Sequence, residues 1–267
     1  MNEKHPSSDH IADNVTIGMM TKYWIAGRVK TRLAKAMGPE IAARLHREFT
    51  MQLCKNLAEC GDRRILCLDP LSKKNEVKRE LNRRGVSQKW EVEGQSNGDL
   101  GSRIDDWFNS QARKNSSGNG ASILIGSDTP SVNKTHVQDA TKCLRESEVV
   151  IGPARDGGYY LIGIRDSLGE PVRKKLFTEI PWSTHSVLQE TRQRLIQTKT
   201  SWKELGVEED VDTVFDLRRL YRRLKLAKHE RPPKQDPAQQ LLHSIELITS
   251  ETPVAARAML YESNDTQ

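Results

Sequence analysis

Four short runs of almost uninterrupted apolar residues constrain this fold most: "NVTIGMM" at 14–20, "RRILCLD" at 63–69, "ASILIG" at 121–126 and "EVVIG" at 148–152. A strand with one face in water alternates apolar and polar residues; strands like these need cover on both faces. Segments of helical period lie between them. Pro39 suits a first helical position, and Ile41, Leu45, Phe49, Leu53 and Leu57 then recur down one face. A polar helix over 73–84 leads to a third strand near "QKWEVEG". Ile104, Trp107 and Phe108 mark a helix after a glycine-rich loop, and Val137, Ala140 and Leu144 another over 133–146. Such alternation predicts an α/β fold, a mostly parallel central sheet with helices on both faces. "GYYLIGI", followed by helices over 183–197 and 213–225, fits an antiparallel addition to the same sheet.

Residues 1–13 read as a disordered leader, 14–226 as the domain, and 227–267 as a C-terminal extension. That extension carries an amphipathic stretch, "AQQLLHSIELITS", suited to docking on the body or on a partner, which leaves a homodimer open. No apolar run nears the roughly 20 residues of a membrane span, and the polar start lacks a signal peptide's features, so a cytoplasmic location is expected. Cys54, Cys60, Cys67 and Cys143 lack paired metal spacing and read as buried free thiols. A net charge of +6 suits an anionic ligand. Nucleic acid is not the expected one, because aromatic residues do not interleave with the basic run "DLRRLYRRLKLAKHERPPK". Its arginines read as a solvated helix face.

In open α/β sheets ligands bind beyond the carboxyl ends of the strands, where four stretches fall: "GRVKTRL", "GQSNGDLGSR", "GSDTP" and "ARDGGYY". Lys30-Thr31 lacks the preceding glycines of a P-loop. What survives is three cations, Arg28, Lys30 and Arg32, either a solvated basic loop or a diphosphate clamp. Asp128 is a helix cap or a hard oxygen ligand for a divalent cation. Asp210 and Asp212, with Asp216 following, either offset a helix dipole or complete a metal site with Asp128. Asp156-Gly157-Gly158 is a hairpin turn or site chemistry. No G-x-G-x-x-G follows the first strand, and no H-E-x-x-H occurs.

"AGRVKTRLAKAMGPEIAARLH", "GQSNGDLGSRI", "ILIGSDTPSV", "VVIGPARDGGYYLIGI", "LFTEIPWSTHSVLQET" and "DVDTVFDL", in this order, resemble the bacterial glycosyltransferase A-like nucleotide-diphospho-sugar transferases, sometimes labelled arsenosugar-biosynthesis glycosyltransferases. The likeness runs over residues 15–220. Its fold is shared with nucleotidyltransferases such as 2-phospholactate guanylyltransferase and the molybdopterin-cofactor guanylyltransferases. The resemblance implies a single glycosyltransferase A-like domain that binds a nucleotide, with Mg2+ or Mn2+ as cofactor. It assigns Gly27, Arg28, Lys30 and Arg32 to the phosphate loop, and Gln95, Gly98, Asp99 and Arg103 to the nucleotide. Asp128 and Asp212, with Asp210 beside them, become the metal carboxylates. Asp156, Gly157, Gly158, Tyr159 and Trp182 come to face the sugar or acceptor. The family's Pro-x-Pro-Gly approach to the basic loop is replaced here by "KYWIAG".

The expected reaction is glycosyl transfer from a nucleotide-diphosphate sugar to a small-molecule acceptor, with Asp156 as catalytic base. Nucleotidyl transfer releasing pyrophosphate is the alternative, and a non-catalytic nucleotide-binding protein the third reading.

Overall fold

The computed structural model describes residues 14–115, 119–227, 236–252 and 254–261. One seven-stranded sheet, ordered β3-β2-β1-β4-β6-β5-β7, organises it. Its strands are β1 (Val15–Lys22), β2 (Arg63–Asp69), β3 (Glu91–Gly94), β4 (Ala121–Gly126), β5 (Val149–Pro153), β6 (Tyr159–Arg165) and β7 (Trp202–Glu204). β1 pairs in parallel with β2 and β4, placing Met19 beside both Leu66 and Ile125. β2 and β3 are also parallel, as are β5 and β7. Among the described strands β6 alone runs the other way, against β4 and β5. The α/β expectation therefore holds, antiparallel addition included.

The apolar strands are covered on both faces because successive side chains point to opposite sides. Leu66, Leu68, Ile123 and Ile125 meet Leu53 and Leu57 of α2 (Pro39–Asn56), Val77 and Leu81 of α3 (Lys74–Arg83), and Val137 and Leu144 of α5 (Lys134–Glu146). Ile65, Cys67, Leu124 and Ile151 face the other way. They pack on Ile104, Trp107 and Phe108 of α4 (Leu100–Lys114), Leu176 of α6 (Glu170–Phe177), and Leu188 and Leu195 of α7 (Val187–Gln197).

A further helical layer lies outside α2. Leu33 of α1 (Thr31–Met37), Leu217 and Leu220 of α8 (Val214–Leu226), and Leu241 and Ile245 of α9 (Pro237–Thr249) bury Leu45 and Phe49 of α2. Leu260 of α10 (Val254–Tyr261) joins them. The amphipathic stretch of the C-terminal extension thus lies on the body. Arg219, Arg222 and Arg223 of α8 are exposed, as expected of a solvated face, and Arg219 and Arg223 pair with Glu209 and Glu208.

Several expectations need correction. The stretch expected as a basic loop turns helical at Thr31. The helix expected over 183–197 starts only at Val187. Cys143 is partly exposed, while the other three free cysteines are buried. Residues 1–13, expected to be a disordered leader, lie outside the described residues. No helix among the described residues is long and apolar enough to cross a membrane.

Candidate active site

The topology gathers the chemistry-bearing loops at one edge. The parallel strands β1, β4, β5 and β7 all end there, and because β6 is reversed, the β5–β6 hairpin turns at that edge too.

Lys30 is the pivot. It caps α1 in the left-handed conformation, φ 46° and ψ 45°, without a side-chain cap, which costs a non-glycine residue about 1–2 kcal/mol. The strain is matched by what the side chain reaches. The Lys30 side chain, 2% exposed, carries its ammonium to Oδ1 of Asp128 and, at 2.9 Å, to Oδ1 of Asp212. Those two carboxylates stay open to solvent, 48% and 40% exposed, so the cation is buried beneath them. Burial favours the neutral amine, yet the charges of Asp128 and Asp212 outweigh it and hold Lys30 above its usual range. In return, and against desolvation, Lys30 and His46 hold the Asp128 carboxyl below its usual range.

The loop after β7 closes the cluster. The Val211 N–H donates to the Asp128 carbonyl at 2.9 Å, and Asp210 accepts the Thr129 hydroxyl. Burial, with Thr129 opposing and the charges of Asp128 and Asp156 adding, pushes Asp210 up to about 7. Asp216 serves the fold: its Oδ2 accepts the Thr213 N–H at 2.7 Å in a capping box that starts α8. Glu208 ties the same loop to α5 and α8. His136 at 3.2 Å, Ser131 at 2.6 Å and Arg223 at 3.5 Å hold its carboxyl at about 2.

Asp156 has a turn role and a free oxygen. Its Oδ1 accepts the Gly158 N–H at 2.9 Å, while Oδ2 enters no hydrogen bond among the described residues. Gly157 has φ 91°, and a Cβ there would lie 2.1 Å from the His185 carbonyl oxygen. Only glycine permits that packing, which the Leu188 N–H seals by donating to the Gly157 carbonyl at 2.9 Å. Tyr159 turns inward rather than out: its hydroxyl is buried and its ring meets Trp182 edge-on at 6.2 Å. Trp182 lies on Gly101, where a Cβ would come within 2.5 Å of its Nε1.

A second group lies at the ends of β1 and β2. Gln95 Nε2 donates to the carbonyls of Thr21 at 3.0 Å and Cys67 at 2.9 Å, clamping the two strands. Arg103 donates to the Gly98 carbonyl at 2.9 Å, Gly98 has φ 110°, and Asp99 caps α4 by accepting the Ser102 N–H at 2.8 Å. Gln95, Asp99 and Arg103 therefore also shape their loop. Gly27, φ 77°, precedes Arg28. Arg28 and Arg32 are exposed, and among the described residues neither pairs with a carboxylate.

Two contributors were not anticipated from sequence. Thr129, within the "GSDTP" stretch, carries no motif signal of its own, yet its hydroxyl donates to Asp210. His46, on α2, approaches Asp128 Oδ1 at 3.8 Å, and burial, against the Asp128 charge, pushes its imidazole below the usual range. Among the described residues no three His, Cys, Asp or Glu side chains form a ready metal site. The cation between Asp128 and Asp212 is the chain's own ammonium.

Known proteins share the family and the fold. Residues 51–184 match a family described as uncharacterized protein conserved in bacteria (DUF2064). A crystal structure from Desulfovibrio desulfuricans G20, provisionally assigned as a nucleotide-diphospho-sugar transferase, is 29% identical with a TM-score of 0.71. The alignment covers 89% of this chain and 97% of that one. A cytidylyltransferase from Leptospira borgpetersenii shares the fold at 11% identity and a TM-score of 0.51, over 92% of this chain and 99% of its own. A protein from Mycobacterium tuberculosis H37Rv, crystallised with manganese, is 17% identical with a TM-score of 0.43, over 78% of this chain and 97% of its own. That likeness is too slight to bear on the metal. No curated protein matches in sequence.

Proposed function

We propose, on the premise that the chain belongs to the DUF2064 family of bacterial proteins, that it is a metal-dependent glycosyltransferase using a nucleotide-diphosphate sugar. The observation that carries this reading is the buried Lys30 ammonium held under two solvent-open carboxylates, Asp128 and Asp212, at the ligand edge of the sheet. Resemblance to the Desulfovibrio protein supports the donor class.

The donor set fits a divalent cation: two hard carboxylates already converge on one positive charge, and Asp210 lies next to them. When bound, the metal would neutralise charge developing on the departing diphosphate. Asp128 and Asp212 would hold it, with Asp210 in support. Arg28 and Arg32, exposed and without ion pairs among the described residues, would take the diphosphate oxygens together with Lys30, on a loop turned by Gly27. Gln95, Gly98, Asp99 and Arg103 would line the nucleoside end.

In the transfer, the acceptor hydroxyl oxygen forms a bond to the anomeric carbon while that carbon's bond to the diphosphate oxygen breaks. The electron pair leaves with the nucleoside diphosphate. Oδ2 of Asp156 takes the hydroxyl proton as general base, on a hairpin that Gly157 and Gly158 hold in place. Trp182, backed by Tyr159, would flank the sugar or acceptor.

The test is a panel of nucleotides and nucleotide sugars in thermal shift, with and without manganese, followed by product analysis. Stabilisation by a nucleotide sugar and release of nucleoside diphosphate is the expected result. Pyrophosphate formed from a nucleoside triphosphate and a phosphorylated metabolite would replace the reading with nucleotidyl transfer. Binding without turnover in any combination would make the chain a non-catalytic binder.

A further inference from the structure

The ion pairs on the outer side of α8 are lopsided. Glu209 takes Arg155 at 2.8 Å and Arg219 at 3.3 Å, so the β5–β6 hairpin, the loop after β7 and α8 meet at one carboxylate. Glu208, next to it, takes Arg223 at 3.5 Å. In these pairs the acid lies beneath and the cation above. The Arg155 side chain is 70% exposed over a Glu209 side chain at 18%, and that of Arg223 46% over Glu208 at 19%. What faces solvent is therefore guanidinium, and Arg222 adds another exposed one. Apolar groups stand among them. Phe215, Arg219, Arg222 and Leu226 recur at i, i+4, i+7 and i+11, one line along the helix opposite the buried Leu217, Leu220 and Leu224. Phe215 is 64% exposed and Leu226 84%, and Val207, two residues before Glu209, is exposed as well.

We propose that this face docks on an anionic lipid bilayer, with the guanidinium groups among the phosphate headgroups and Phe215, Val207 and Leu226 at the acyl boundary. Charge complementarity and the apolar groups carry it together. A nucleic acid would engage the cations but leave Val207 and Leu226 in water. An apolar protein groove would take those side chains and leave the arginines desolvated against nothing. An anionic bilayer surface serves both at once. Asp156 follows Arg155 in the chain, so docking brings the turn proposed for transfer against the membrane. That consequence rests on the transferase reading; the docking itself does not.

The experiment sediments the full chain, without nucleotide, with vesicles of phosphatidylcholine alone and with vesicles containing about one-third phosphatidylglycerol. Binding to the second kind only is expected, weakened about tenfold or more as salt rises from about 0.1 to about 0.5 M. Phe215→Ser combined with Leu226→Ser should weaken it about tenfold with the melting temperature unchanged, because both side chains are exposed. Phe215→Trp reads the contact itself: its emission should shift to the blue with phosphatidylglycerol vesicles and be quenched by brominated lipid. No sedimentation with those vesicles at low salt, undiminished binding by the double serine variant, or unmoved emission from Phe215→Trp would each overturn the docking. So would capture of single-stranded RNA with no binding to vesicles. Failure of the docking leaves stabilisation by a nucleotide sugar in thermal shift untouched, whereas vesicle binding with no such stabilisation would remove the transferase reading and keep the docking.

Discussion

Lys30 and Asp212 are 182 positions apart in sequence, yet the ammonium of one lies 2.9 Å from the carboxylate of the other, joining the loop after β1 to the loop after β7. This pair and its twin with Asp128 hold the strand-end loops together. Lys30→Met should lower stability at pH 7 by about 1–2 kcal/mol, less than the roughly 3–5 of a fully buried pair because both carboxylates reach solvent. The sign with pH follows from Asp128, whose folded carboxyl is held low. That contribution is present above the ordinary carboxylate range and is lost as pH falls through the lowered value. Urea midpoints from pH 7 down to 3 should therefore fall less steeply in Lys30→Met than in the unaltered protein.

Asp210 acts in the opposite sense. Its folded carboxyl is raised to about 7, so the native state holds an extra proton between the ordinary carboxylate range and neutrality. Its contribution is full at low pH and declines as pH rises toward about 7. Asp210→Asn keeps an acceptor for Thr129 and abolishes the titration. The variant should gain stability relative to the unaltered protein as pH rises from 5 to 8, by on the order of 2 kcal/mol after discounting for solvent access. Parallel curves for the two proteins across that range would count against a buried, raised carboxyl.

Asp156→Asn separates the two roles of its side chain. The amide oxygen still accepts the Gly158 N–H, so the melting temperature should barely move. The proton acceptor is gone, and turnover should fall by about 10²–10⁴ with nucleotide affinity retained. Asp156→Ala should lose turnover and also about 1 kcal/mol of stability. An Asp156→Asn variant that turns over normally would remove Asp156 from the chemistry.

Gly157→Ala tests the hairpin's seat. Its Cβ would sit 2.1 Å from the His185 carbonyl at a φ of 91°, so backbone must shift. A loss of about 2–4 kcal/mol is expected, read as a lower denaturant midpoint. Gly158→Ala, where the nearest contact is the flexible Asp156 side chain at 3.2 Å, should cost much less.

How much of this was legible beforehand depended on whether a signal was local. Strands such as "ASILIG" announce burial on both faces residue by residue, and Asp128 is conspicuous because an apolar run stops at it. α6 and β7 went unread: β7 is three residues long with two exposed, too short for any period to show. Asp99 and Gln95 were read by resemblance to known transferases, which gave no hint that they also cap a helix and clamp two strands. His46 could not be read at all. It neighbours Leu45 on an apolar helix, and nothing local separates a histidine that packs from one whose nitrogen faces a carboxylate supplied 82 positions later, at Asp128. The pairing of Lys30 with Asp212 is of the same kind.

The helix that carries His46 is made early and finished late. Its inner face rests on the sheet, but its outer face is covered by α8 and α9, and Lys55 on α2 reaches Gln240 on α9 at 3.1 Å across 185 positions. A chain emerging from the ribosome therefore exposes the apolar outer stripe of α2, with Leu45 and Phe49, until α9 has been synthesised. Contacts so distant in sequence close slowly. During that interval the stripe is open to nonspecific association, so α9 acts in time as well as in space, as the step that ends the nascent chain's vulnerable period.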